Sequence, residues 1–209
     1  MKIIIADINS KFTDAVKDVI KKKGFKDIAE LSTHTGSFTD LSDSQKNICM
    51  VGAGNSFGLL SGGVDLAIRN FFGKEVEQKL HNTILEDFSG ELVVGSSLVL
   101  ATGHMGIKFL GYTPTMRTPK KIAGSDIPYS ATLSALSSIN RYNKDNVEKI
   151  DTVILPGMGT GTGAIPFSKA ALQMVYAIDN FYKALKPDSQ PVKTMREAYI
   201  VENNLKECL

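Results

Sequence analysis

The chain has 209 residues and a formal net charge of +2, with 43% hydrophobic and 22% charged residues. This length suits one domain with a sizeable core and is short for two. The nearly balanced charge gives no strong case for a nucleic-acid partner and none for a membrane partner. The two cysteines form no CxxC pair, and no apolar run resembles a signal peptide, so we expect a protein of the reducing cytoplasm.

Strands and helices alternate along the chain. Short apolar runs predict buried strands, and apolar residues three or four apart predict helices. The predicted strands are 3–6, 28–33, 47–51, 97–102, 108–112 and 152–155, and the predicted helices are 12–23, 64–72, 74–88, 125–142 and 166–185. Residues 103–106 read as a hairpin turn between two of these strands, and the residues after 191 predict at most a short helix or strand. This pattern predicts an α/β fold, a three-layer α/β/α sandwich with a mixed central sheet.

A glycine-rich segment follows the strand at 47–51 and leads into the helix at 64–72. Backbone N–H groups at a helix N-terminus lack partners within the helix, and the helix dipole favours negative charge there. Gly62 and Gly63 let a ligand approach the backbone closely because they carry no Cβ. A second glycine-rich segment follows the strand at 152–155. Two anion-binding loops at strand ends predict a ligand with a diphosphate in its middle.

Asn55 and Asp65 are the polar side chains of the first loop that can act on a ligand. An amide can donate to and accept from sugar hydroxyls, and the helix dipole is expected to keep Asp65 ionised. The spacing fits a structural interpretation equally well. Asn55 then fills a turn position, and Asp65 caps its helix or pairs with Arg69 four residues later.

Other motifs in these loops are incomplete. Residues 54–58 match G-x-S-x-G, but no histidine lies in the second half of the chain to complete a Ser triad. The second loop lacks the lysine of a P-loop, and the first strand is followed by no glycine fingerprint for a dinucleotide. His34, His81 and His104 have no metal-ligand spacing, and His81 is expected to be solvated. The sequence therefore implies no metal and no cofactor.

Both loops resemble those of the macro domain family. Asn55 to Asp65, with Ser-Gly-Gly-Val between them, is similar to the family's N-A-A-N-x-x-L-x-G-G-G-G-V-D, and residues 159–166 are similar to its S-T-G-x-[FY]-G-x-P. The sequence of residues 55–73 and 114–117 is similar to that of a bacterial and phage branch of the family, which carries an extra βα unit before the core. The resemblance covers roughly residues 28–185. It implies a single domain, with residues 1–26 as the added unit, 27–186 as the core and 187–209 as a C-terminal extension.

Macro domains bind ADP-ribose, and some hydrolyse ADP-ribosyl bonds. The resemblance implies that Asn55 orients the distal ribose and that Asp65 positions or activates a water at its anomeric carbon. It implies further ligand contacts from both loops and from the segment that meets the adenine. These residues are Ser37, Phe38, Gly62, Gly63, Val64, Gly159, Thr160, Gly161, Thr162, Gly163 and Ala164.

Three positions depart from the family pattern. Gly52 stands where the family has its first Asn, Gly163 stands where it has an aromatic residue, and Ser37 stands at its adenine-reading Asp. Ser37 is either a weaker acceptor for the adenine amino group or a turn residue, and Asp40 is an alternative acceptor. Three functions stay open. They are an ADP-ribosyl hydrolase acting on ADP-ribosylated protein or on ADP-ribosyl metabolites, a non-catalytic ADP-ribose or nucleotide-binding module, and a phage-related structural protein that keeps only the fold.

Overall fold

The computed structural model describes residues 1–23 and 30–206. The first two residues of the predicted strand 28–33 lie outside these ranges. The strands are β1 (Lys2–Asp7), β2 (Leu31–Thr35), β3 (Ile48–Gly52), β4 (Leu98–Ala101), β5 (Phe109–Tyr112) and β6 (Thr152–Leu155). The helices are α1 (Ser10–Lys23), α2 (Gly63–Phe72), α3 (Lys74–Asp87), α4 (Ile127–Asp145), α5 (Phe167–Ala184) and α6 (Met195–Lys206), with a short 3-10 helix at Phe38–Leu41.

The six strands form one sheet in the order β2-β1-β6-β3-β5-β4. Neighbouring strands are parallel except β4 and β5, which pair antiparallel as the predicted hairpin. β6 lies between β1 and β3, so the strand latest in the chain joins the two sides of the sheet. The predicted mixed sheet is confirmed.

The sheet is buried on both faces because its strands alternate apolar side chains between two layers of helices. In β3, Cys49 and Val51 face a core that includes residues of α1, α4 and α5. Ile48 and Met50 face a second core formed with α2 and α3. The predicted three-layer α/β/α sandwich is confirmed.

The first strand and helix are part of this core. Ile3 and Ile5 of β1 are fully buried, and so are Phe12 and Val16 of α1, which packs on α5. The predicted boundary at residue 26 falls outside the described residues. No helix in the described residues is both long and apolar enough to cross a bilayer.

Candidate ligand-binding cleft

A cleft of about 540 Å³ opens at the carboxyl edge of the parallel strands. This volume is typical of small-molecule sites, which range over roughly 300–1,000 Å³. Residues that follow each of the five parallel strands line it, because parallel strands end at the same edge of a sheet. They are Ile8 after β1, Gly36 after β2, Ala53 after β3, Thr115 after β5 and Pro156 after β6.

The first glycine-rich loop presents the N-terminus of α2 to this cleft. The first helical hydrogen bond is donated by the Leu66 N–H to the Gly62 carbonyl, so the amides of Gly63, Val64 and Asp65 precede the helical ladder. Gly63 has φ of +55°, which glycine adopts without strain. Gly62 has an extended φ of −159°, and a Cβ added there would meet no atom of the described residues within 4 Å.

The second loop turns tightly against itself. The Ala164 N–H donates to the Gly161 carbonyl at 2.9 Å, and the Ile165 N–H donates to the Gly159 carbonyl at 3.1 Å. Within the described part of the chain, the backbone N–H groups of residues 159–163 donate no hydrogen bond. A loop with this many free amides is suited to hold an anion.

Gly163 cannot carry the aromatic side chain that the family pattern has at this position. A Cβ on Gly163 would lie 2.5 Å from the Gly159 carbonyl oxygen. Ala164, the next residue, has a left-handed φ of +54°. The loop therefore closes more tightly here than a chain with an aromatic residue would allow.

The structure brings both loops to the same cleft. All the predicted site residues except Ala164 line it. The loop after β3 and the loop after β6 are adjacent because these two strands pair in the sheet. The cleft can therefore place one elongated ligand against both sets of amides.

Asp65 is buried within the cleft and only partly bonded. The residue is 4% exposed, and its Oδ1 has no hydrogen-bond partner among residues 1–23 and 30–206. Its Oδ2 accepts from the Tyr112 hydroxyl at 3.3 Å. Burial raises the pKa of Asp65 from an ordinary 3.8 to about 7, and the Tyr112 hydrogen bond opposes that rise. The expectation that the helix dipole keeps Asp65 fully ionised is therefore wrong, because desolvation outweighs it.

Asp65 does not pair with Arg69, which the helical spacing allowed. The Arg69 Nε instead contacts the Glu77 carboxylate at 3.0 Å. Burial is thus the main influence on the pKa of Asp65, and no cation in the described part of the chain opposes it. A carboxylate in this state can take up or release a proton near neutral pH.

Asn55 shapes the first loop with its side chain. Its Oδ1 accepts from the Phe57 N–H at 3.1 Å and the Leu59 N–H at 3.3 Å, and its Nδ2 donates to the Leu59 carbonyl at 2.9 Å. This arrangement matches the turn interpretation. An amide nitrogen carries two N–H groups, so one of them remains for the cleft that Asn55 lines.

Two side chains of helix α3 contact the backbone of the same loop. The Glu77 carboxylate accepts from the buried Leu60 N–H at 3.1 Å, and the His81 Nε2 lies 2.9 Å from the Gly58 carbonyl. His81 is half-buried, so the prediction of a solvated histidine is wrong. Within residues 1–23 and 30–206, no three His, Cys, Asp or Glu side chains are grouped to hold a metal ion.

Ser37 caps the short 3-10 helix that follows β2. Its hydroxyl oxygen accepts from the Thr39 N–H at 3.2 Å and from the Thr39 hydroxyl at 2.7 Å. The Asp40 carboxylate completes the cap by accepting from the Ser37 N–H at 3.0 Å. Ser37 and Phe38 both line the cleft, whereas Asp40 is not among the lining residues.

The sequence reasoning missed the residues at the carboxyl end of β1. Asp7, Ile8 and Asn9 all line the cleft. The available signal was their place directly after a buried strand, since ligands of α/β sheets bind at the carboxyl ends of strands. That signal did not stand out because this segment contains no glycine.

Comparison with known proteins gives a consistent set of matches. The macro domain family model matches residues 51–174. An uncharacterised protein of Aquifex aeolicus (strain VF5) is 31% identical over 132 residues, 63% of this chain and 73% of that protein. A mutant macrodomain of Oceanobacillus iheyensis solved with ADPR superposes with a TM-score of 0.57 at 19% identity, covering 80% of this chain and 89% of that one. The macrodomain of Mycobacterium tuberculosis DarG gives 0.57 at 18% identity, covering 70% and 88%.

Proposed function

The chain belongs to the macro domain family, and from this premise we propose that it binds ADP-ribose or a related ADP-ribosyl compound and hydrolyses the bond at the distal ribose. The observation that carries the proposal is the Asp65 carboxyl group, which lies buried in the cleft with an unpaired Oδ1 beside the free amides of α2. The O. iheyensis macrodomain, which shares the fold, was solved with ADPR.

The glycines at the cleft surface support a diphosphate between the loops. Gly62 and Gly161 would each place an added Cβ in open space, and Gly62 has a φ that any residue adopts. The fold itself therefore does not require glycine at either position. A ligand that packs directly on the backbone does require it, and free N–H groups at a helix N-terminus suit phosphate oxygens.

Asp65 acts as the general base in this proposal. Its carboxylate accepts a proton from a water molecule, which attacks the anomeric carbon of the distal ribose while the bond to the leaving group breaks. A base with a pKa of about 7 is well matched to neutral pH. Asn55 lines the cleft, and in this proposal the second N–H of its amide orients a ribose hydroxyl. The substrate in this proposal is an ADP-ribosylated protein or an ADP-ribosyl metabolite.

A binding module without chemistry is the second candidate. Three hydrogen bonds of the Asn55 side chain go to its own loop, which leaves little of the amide for substrate. Such a protein holds the ligand through backbone amides and releases it unchanged. A structural protein that keeps the fold without binding is the third candidate.

Calorimetry with ADP-ribose, ADP and AMP separates the binding candidates from the structural one. Release of ADP-ribose from a mono-ADP-ribosylated protein then separates the hydrolase from the module. We expect Asp65→Asn to bind ADP-ribose but to lose about 10²–10⁴-fold in turnover, the usual contribution of a general base. The matched control is Asp87→Asn, which changes an exposed carboxylate on α3. Equal turnover by wild type and Asp65→Asn would refute the catalytic role.

The family model begins at residue 51, so β1 and α1 lie outside the matched segment. We propose that they represent the added βα unit of a bacterial and phage branch, within one domain of residues 1–209. In this proposal residues 27–186 correspond to the family core and 187–209 to a C-terminal extension. β1 pairs with both β2 and β6, which supports a single domain in which the added unit lies inside the sheet. We expect a chain starting at residue 27 to be unfolded by circular dichroism, because β6 would lose a neighbour.

A further inference from the structure

The Asp65 carboxyl group lies in a space that a side chain at position 54 would fill. A Cβ built on Gly54 would overlap the Asp65 Oδ2 and the Tyr112 hydroxyl oxygen, and it would lie 2.8 Å from the Asp65 Cγ. These separations are well inside the distance at which carbon atoms pack favourably, about 3.5–4.0 Å. Glycine at position 54 is therefore what leaves room for the carboxyl group where the structure has it.

The backbone of Gly54 gives no other reason for glycine and is held in place. Its φ lies outside the left-handed region, so its own conformation does not require glycine. Its carbonyl accepts from the Thr115 N–H at 2.9 Å, and the nearby Ser56 N–H donates to the Met116 carbonyl at 3.1 Å. The segment that follows β5 thus fixes this loop on both sides of Asn55, and the backbone is not free to give way.

The Tyr112 side chain is equally fixed. It is fully buried, and its ring packs so closely on Gly52 that a Cβ there would lie 2.8 Å from the Tyr112 Cδ2. Its hydroxyl oxygen accepts from the Asn55 N–H at 3.0 Å, and its hydrogen faces the Asn55 carbonyl at 3.1 Å and the Asp65 Oδ2 at 3.3 Å. Of the groups beside Gly54, the Asp65 carboxyl is the movable one, and the cleft that it lines is the space open to it.

Few ionisable groups act on Asp65. No charged side chain of the described residues contributes to its raised pKa. Tyr112 faces it from β5, and burial raises the pKa of Tyr112 well above the ordinary 10.0, so its hydroxyl stays protonated at neutral pH. Glu77 of α3 acts on Tyr112 and is paired with Arg69 of α2 at 3.0 Å. The titration of Asp65 therefore reports mainly how deeply its carboxyl group lies.

We infer that Gly54 and Tyr112 are positioning residues for Asp65: Gly54 leaves the space in which the carboxyl group is withdrawn from water, and the Tyr112 hydroxyl holds one of its oxygens there. Both residues act through Asp65, and the catalytic meaning of the inference rests on the proposed function, in which Asp65 is the base. An alanine at position 54 would displace the carboxyl group into the cleft, where water stabilises its ionised form.

Carbon-13 NMR of the side-chain carboxyl groups from about pH 3 to about pH 9 tests this position, with the Asp65 signal assigned by its loss in Asp65→Asn. We expect a titration midpoint of about 7 in wild type. In Gly54→Ala the midpoint is expected to fall by at least about two pH units, because burial shifts reach roughly three to five units and this change relieves the burial. Tyr112→Phe is expected to raise the midpoint, since the ionised carboxylate loses a donor.

Gly111→Ala is the matched control for adding a methyl group to a buried glycine. The Cβ of this variant would lie 3.3 Å from a methyl group of Val51 and 3.4 Å from the Cys49 sulfur, and none of its nearest atoms belongs to Asp65 or Tyr112. The substitution tightens the core on the other side of β5. We expect the Asp65 midpoint to stay within about 0.5 pH unit of wild type, because the two sites share no partner.

Combining the two substitutions tests whether Gly54 and Tyr112 act on one position of the carboxyl group. Once Gly54→Ala has displaced that group from residue 112, adding Tyr112→Phe is expected to move the midpoint by less than about 0.3 pH unit. Fully additive shifts would refute the shared position. The pH midpoint of kcat/KM for ADP-ribose release is expected to follow the NMR midpoints, and a general loss of stability would not produce that agreement.

The remaining outcomes are distinct. A midpoint that stays near 7 in Gly54→Ala overturns the inference, even if the variant still hydrolyses its substrate. If Gly54→Ala is unfolded by circular dichroism, the same change is made in Asp65→Ala/Tyr112→Phe, which lacks the overlapping atoms. Folding only in that background supports the inference, and unfolding in both overturns it. If wild type shows no turnover, the proposed hydrolysis fails, whereas the NMR titrations still decide where the carboxyl group lies.

Discussion

Replacing Asp65 with asparagine is expected to stabilise the unliganded protein and, if Asp65 is the proposed base, to lower turnover. Burial raises the pKa of Asp65 from 3.8 to about 7. One pH unit of such a difference corresponds to about 1.36 kcal/mol. At pH values above 7, the ionised Asp65 therefore lowers the free energy of unfolding by about 4 kcal/mol relative to a neutral side chain.

The sign of the pH dependence follows from where the proton resides. Below pH 3.8 the carboxyl group is protonated in both folded and unfolded chains, so it adds no pH dependence. Between 3.8 and about 7 the unfolded chain loses this proton while the folded chain keeps it, so wild-type stability falls as pH rises. Above about 7 both states are ionised, and the difference from the asparagine variant becomes constant.

Urea denaturation of wild type and Asp65→Asn from pH 4 to pH 8.5 measures this effect. We expect the variant to gain little at the acid end and about 4 kcal/mol at the alkaline end. Asp87→Asn, which alters an exposed carboxylate, is the control and is expected to show no such trend. A gain that is the same at every pH would refute the argument that burial holds the proton on Asp65.

Four further predictions concern the same cleft. If Asp65 is the base, kcat/KM for ADP-ribose release rises with pH up to about 7 and then levels off; a flat profile would contradict this. Tyr112→Phe removes a hydrogen-bond donor from Asp65, so the pH at which kcat/KM reaches half its maximum is expected to rise. The same change removes the acceptor of the Asn55 N–H at 3.0 Å, and the two losses are expected to cost about 1–3 kcal/mol in urea denaturation. Gly62→Val is expected to keep the free energy of unfolding within about 0.5 kcal/mol but to weaken ADP-ribose binding at least about tenfold by calorimetry. Gly163→Ala is expected to lower the free energy of unfolding by about 1–3 kcal/mol, because its Cβ would meet a backbone oxygen at 2.5 Å.

Local sequence patterns were sufficient to predict most of the fold. Short apolar runs gave β6 at residues 152–155 as the structure has it, and the turn at 103–106 gave the antiparallel pair β4–β5. The C-terminal helix α6 was left open because its apolar spacing is weak. The strand order could not be predicted from the sequence, since pairing in a parallel sheet depends on contacts distant along the chain.

The cleft was predicted only in part, because some of its features depend on contacts distant along the chain. The two glycine-rich loops are local features, and their membership of one cleft followed from strand ends. The protonation of Asp65 depends on what buries it, and the hydrogen bonds of His81 depend on a loop 23 residues earlier in the chain. Asp7 reached the cleft only because β1 lies inside the sheet next to β6. None of these is encoded by spacing alone.

The position of β6 has a consequence for biosynthesis. β2–β1 and β3–β5–β4 are two half-sheets that meet only through β6, a strand made after all the others. A nascent chain therefore carries two bare strand edges until residues 152–155 emerge and insert between them. Exposed edges of this kind pair readily with other chains. A substitution that weakens β6 is thus expected to lower the yield of folded protein during synthesis more than it lowers the stability of the finished molecule.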